Sequence, residues 1–154
     1  MIKILQKILT IETIEPGGED LEHSLQVATA VLLIEVMRAD FVVQAEEKAR
    51  LRQLLERQFS LPADQLDALL DEAETRADRL VSIQHITRLL NEHYDHPMKV
   101  RVVEMMWQLV YADGDKDRYE EHLIRQVAEL LYLSHGEFIQ ARLQAEEQDR
   151  SRQG

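Results

Sequence analysis

Val27-Ala-Thr-Ala-Val-Leu-Leu-Ile-Glu35-Val-Met37 carries one charge, at Glu35, before Arg38 closes it. A bilayer span needs about 20 apolar residues, so this run is too short to cross a membrane. Without the alternation of a half-buried strand, it reads as a helix covered on every side. A second such stretch runs from Pro97 to Ala112. It is apolar nearly all round, with Arg101, Glu104 and Gln108 as one narrow polar stripe. Two helices of this kind must bury each other, with amphipathic helices packed around them.

The rest of the chain supplies those helices. The spacing predicts a long helix from about Asp20 to Arg38 and another from Ala45 to Gln58, with Leu51, Leu54, Leu55 and Phe59 inward. A third follows Leu61-Pro62 and buries Leu66, Leu69, Leu70 and Ala73; a fourth carries Leu80, Ile83, Thr87, Leu90 and Tyr94. Asp117–Leu131 is the next, and the last begins at Ser134, where Ser134-His-Gly-Glu137 has the spacing of a capping box. Ser60 and Ser134 are both expected as helix caps. Near the start, Ile4, Leu5, Ile8 and Ile11 form a stripe flanked by Lys3 and Lys7, which reads as a short helix lying on its own domain or on a membrane or partner surface. Glu15-Pro-Gly-Gly-Glu-Asp20 separates it from the long helix. The expected class is all-α, a compact bundle of about seven to eight helices. Residues 1–23 form an N-terminal helix and linker, 24–145 one domain, and 146–154 a polar tail that frays.

The two central runs recur with a spacing of 73 residues. Val36-Met37-Arg38-Ala39-Asp40 falls on Leu109-Val110-Tyr111-Ala112-Asp113, and Glu47, Leu51, Leu54 and Phe59 fall on Glu120, Ile124, Val127 and Tyr132. The bundle is therefore expected to be built from two pseudo-repeats.

Composition removes most chemistry. The chain has 154 residues and no cysteine, which excludes disulfides, thiolate metal sites and cysteine nucleophiles. Five glycines supply no phosphate-cradling loop. With 29 acids against 18 Lys and Arg the formal charge is −11, spread over both halves, so nucleic acid is not an expected partner. Such a surface suits basic protein patches or cations.

The stretches Leu32-Leu-Ile-Glu-Val-Met-Arg-Ala39-Asp40 with Glu46-Glu47, and Val103-Glu-Met-Met-Trp107-Gln-Leu-Val-Tyr-Ala112-Asp113-Gly114 with Glu120-Glu121-His122-Leu123-Ile124, resemble the TerB-like family. Ile86-Thr-Arg-Leu-Leu-Asn-Glu92 fits its connecting helix, and the resemblance covers about 24–145. It implies a cytoplasmic, non-enzymatic bacterial helical module, associated with tellurite and stress resistance, whose acidic loops are suspected of binding metal. The first loop departs from the pattern: Ala39-Asp40 is followed by Phe41-Val42-Val43, which leaves few oxygen donors there.

The second loop keeps them. Asp113, Asp115 and Asp117 alternate, with Glu120 and Glu121 beyond, and these five are the candidate ligands for a weakly held divalent cation such as Ca or Mg. Arg118 stands where a calcium loop needs glycine and Ile124 where it needs glutamate, so this is no EF-hand. Helix capping explains the same acids without metal, with Gly114 ending one helix and Asp115 or Asp117 starting the next. The histidines, including His93 and His96, lack a zinc-binding spacing. Glu35 and Glu104 are expected to pair with Arg38 and Arg101, and Trp107 to lie in the core. These residues favour a module acting on a protein partner of unspecified identity, or on a second copy. The alternatives are a membrane-apposed scaffold using residues 1–11 and a metal-dependent enzyme.

Overall fold

The computed structural model describes residues 18–39, 45–112 and 118–153. They form seven helices: α1 (Gly18–Arg38), α2 (Ala45–Phe59), α3 (Ala63–Asp78), α4 (Ile83–His93), α5 (His96–Ala112), α6 (Arg118–Leu130) and α7 (His135–Gln153). The all-α expectation holds for the described residues. The expected helix near 2–11 lies outside them.

The two apolar runs become α1 and α5 and sit at the centre. Residues 27–34 of α1 are buried without interruption, as are residues 105–111 of α5, so both helices are covered on every side along those turns. They touch each other, and α1 also packs on α2, α3, α4 and α6. The most extensive helix–helix contact is that of α5 with α7. Each large apolar side chain so buried contributes roughly 1.5–3 kcal/mol. The polar group inside α1 is satisfied locally: the Thr29 hydroxyl donates to the Leu25 carbonyl at 2.8 Å and lies 2.8 Å from Tyr94 Oη, which reaches in from the end of α4.

Turn chemistry explains the boundaries. The Ser134–Glu137 capping box forms reciprocally, the Ser134 N–H donating to Glu137 Oε1 at 2.8 Å and the Glu137 N–H to Ser134 Oγ at 3.1 Å. Ser60 differs from expectation. It is the left-handed residue ending α2, with φ 52°, while Leu61 N–H returns to the Glu56 carbonyl at 3.4 Å; α3 is entered through Pro62 with no side-chain cap. Tyr132 ends α6 in the same way, with φ 62° and Leu133 N–H bonded to the Ala128 carbonyl at 3.0 Å. Both are the 6→1 closure of a Schellman turn, formed here without glycine. At the end of α6 the free Leu130 carbonyl accepts from Asn91 Nδ2 of α4 at 2.8 Å.

Two further expectations change. The last helix extends past 145: α7 runs to Gln153, with Ala145 fully buried and Gln148 accepting from Gln108 of α5. Glu104 does pair with Arg101, at 2.6 Å, but Arg38 turns instead to Asp78 of α3 at 2.7 Å. Glu35 is left half-buried, and burial pushes its carboxyl above the usual range, with the Arg38 charge opposing. A carboxyl with a raised folded pKa favours the fold while protonated, and that contribution is lost as pH rises through the folded value. Glu35→Gln is therefore expected to remove part of the loss of stability between weakly acidic and neutral pH. Urea midpoints of the two proteins, measured across that range, check it.

Candidate functional site

The second acidic connection joins α5 to α6. Asp113, Asp115 and Asp117 lie outside the described residues, as does Gly114, so two of the five candidate ligands can be placed. Glu120 is fully buried in the first turn of α6, where the helix dipole favours a carboxylate. Glu121 is directed to α7: Arg142 Nη1 lies 3.3 Å from Glu121 Oε1, and Arg125 Nη2 lies 3.9 Å from it. Two arginines on one carboxylate oppose its use by a cation. Among the described residues, no three His, Asp or Glu side chains gather as metal ligands do.

Behind Glu121 the arginines sit on aromatic faces. The Arg142 guanidinium lies 4.8 Å from the Trp107 ring centre and donates to Tyr111 Oη at 3.2 Å; Arg125 lies 4.7 Å from the Phe138 ring. The Tyr111 hydroxyl raises the Arg142 pKa, with burial opposing. Trp107 is 1% exposed and meets Phe138 edge-on, so it belongs to the core as expected.

Three of the six histidines go to carboxylates. His96 bonds to Glu137, His23 Nε2 lies 2.5 Å from Glu72, and His93 lies 3.9 Å from Glu92. The Ser134 N–H, then His96, hold the Glu137 carboxyl below its usual range.

A groove between α1, α3 and α4 is not foreseen in the sequence. It has a volume of about 490 Å³, within the range of ligand clefts, and an apolar lining that includes Val27, Ala28, Leu80, Ile86 and Leu89. Val81 stands at its lip, 93% exposed. Glu72 and Arg76 border it from α3. The adjoining outer face of α3 carries Asp64, Asp67, Asp71, Glu74 and Asp78, all exposed and three or four residues apart. Asp67 pairs with Arg52 at 2.5 Å and Asp78 with Arg38, while Asp64, Asp71 and Glu74 make no ion pair among the described residues. The signal for this stripe was the composition of the helix, with one base against six acids in Ala63–Asp78. The groove itself has no local signal, since three helices build it.

Among the described residues, no helix is long and apolar enough to cross a membrane. Neither the curated proteins nor the solved structures contain a match to the chain. The family described as tellurite resistance protein TerB matches residues 26–143, from within α1 to within α7. That span contains most of α1 and every helix from α2 to α6, and the chain belongs to the TerB family.

Proposed function

We propose that this protein is a non-catalytic binding module of a tellurite- or stress-response system, and that it works by holding a helix of a partner protein. The groove between α1, α3 and α4 carries the proposal: an apolar floor with an exposed valine at its lip, beside a helix face bearing five carboxylates. An apolar stripe on the partner would fill the floor, and Lys or Arg along its edge would meet the α3 acids.

Capture from the native cell should retain one protein on the wild-type chain. Val81→Lys, or Asp71→Lys with Glu74→Lys, should release it, as should added salt. Leu143→Ser on α7, at a half-exposed residue outside the groove, should not. Retention of the same protein by all variants contradicts the proposal. So does finding that the wild type's groove holds only a second copy of the chain or an anionic vesicle.

The same reading keeps a weak divalent-cation site at the second loop, narrowed to Asp113, Asp115, Asp117 and Glu120 because Glu121 is committed to Arg142. Millimolar calcium or magnesium should raise the melting temperature of the wild type and not of Asp115→Asn. Equal responses, or none in either, remove the site. We also read the two halves as one duplicated unit, which superposition of residues 23–78 on 96–151 tests.

A further inference from the structure

In a chain of net charge −11, four arginines converge on one cavity. Arg50 and Arg57 come from α2, Arg101 from α5 and Arg152 from α7, and they line a space of about 460 Å³ whose lining includes no carboxylate. Arg101 and Arg152 are neutralised nearby, by Glu104 at 2.6 Å and Asp149 at 2.7 Å. Arg50 and Arg57 make no ion pair among the described residues.

Arg50 is the telling member. It is 8% exposed, its Nη1 donates to Gln53 Oε1, and its buried Nε–H has no hydrogen-bond partner among the described residues. A charged donor held from water without an acceptor is costly. Burial, then the charges of Arg152, Arg57 and Arg101, push its pKa down, with Asp149 opposing.

The amides around it leave the cavity short of acceptors. The Gln53 side-chain oxygen is taken by Arg50, that of Gln108 by Arg101 at 3.3 Å, and that of Gln148 by Gln108. The Nε2 groups of Gln53 and Gln148 remain as donors, beside the unspent guanidinium N–H groups and the Ser151 hydroxyl. A space rimmed by donors and excess positive charge fits a ligand made of acceptors and negative charge. Planar guanidinium groups match the oxygens of a phosphate in particular. The volume exceeds that of one phosphate and has room for a diphosphate or a phosphorylated small molecule.

We propose that the cavity between α2, α5 and α7 binds a phosphate-bearing small molecule, with Arg50 at its floor and Arg57 and Arg152 at its mouth. The site is separate from the α1–α3–α4 groove and does not depend on what occupies it.

Titration calorimetry of the full chain at fixed ionic strength, with sodium chloride as the balancing salt, tests this. Inorganic phosphate, pyrophosphate and glucose 6-phosphate are the probes, and their ranking separates free phosphate from a phosphate ester. At least one should bind saturably. Arg57→Gln with Arg152→Gln, two exposed positions that leave the packing intact, should weaken that binding at least about tenfold, since each charge-assisted hydrogen bond carries that much. Arg50→Gln should weaken it as well, with unchanged circular dichroism. No binding of any probe at millimolar concentration, or equal binding by the double variant, overturns the proposal.

Discussion

Trp107→Ala is expected to lower the unfolding free energy by about 3–5 kcal/mol, the cost of an aromatic cavity in a packed core. The indole lies on α5, packs with its plane 26° from that of Tyr111, meets Phe138 of α7 edge-on, and supports the Arg142 guanidinium. A domain of this size is stable by about 5–15 kcal/mol, so the variant should lose a large share of its stability. Trp107→Phe should cost much less. It keeps the ring contacts and removes an indole N–H that is buried with no hydrogen-bond partner among the described residues. Urea titrations of the three proteins check the ranking; a loss below about 1 kcal/mol for alanine would mean that the indole is not where the cavity argument needs it.

Ending the chain after Leu133 should abolish the cooperative thermal transition. The cut removes α7, and with it the buried Phe138, Ala141 and Ala145 that cover α5. The exposed face of α5 would then present Trp107 and its neighbours to water, and a partly covered apolar helix does not hold a unique packing. Ending the chain after Ala145 should preserve the transition, because the buried contacts of α7 precede that point. The shorter cut would still remove Gln148 and Arg152, so it should also cost phosphate binding. A sharp transition in the chain ending at Leu133 would contradict the architecture. Calorimetric scans of both truncations distinguish the outcomes.

The central helices were legible because burial on all sides leaves a local signature. An apolar run such as Val27–Met37 needs no knowledge of its neighbours to be assigned to the interior. The capping box at Ser134 was legible for the same reason, since both partners lie three residues apart. Ser60 was not, because serine serves a helix start and a turn equally well and only the backbone conformation decides. Charges were legible in number and not in partner. Arg38 sits one turn from Glu35, yet its bond goes to Asp78, forty residues on. The arginine cavity shows the limit most clearly. Arg50 and Arg57 look like the polar face of an amphipathic helix, and Arg152 lies in a segment whose composition resembles a solvated tail. Only the continuation of α7 along α5 brings them together. Among the candidate cation ligands, the neighbour of Glu121 was hidden for a similar reason, because Arg142 arrives from another helix.

Native-state hydrogen exchange on the full chain tests the central claim, that α1 and α5 form one shared interior. Amides of Ala30–Val36 and of Val102–Val110 should exchange in the slowest class, with the same protection and the same dependence on urea, because neither helix can open without unfolding the whole bundle. Protection of one helix falling well below that of the other, with a shallower urea dependence, would show two separable units and contradict the account.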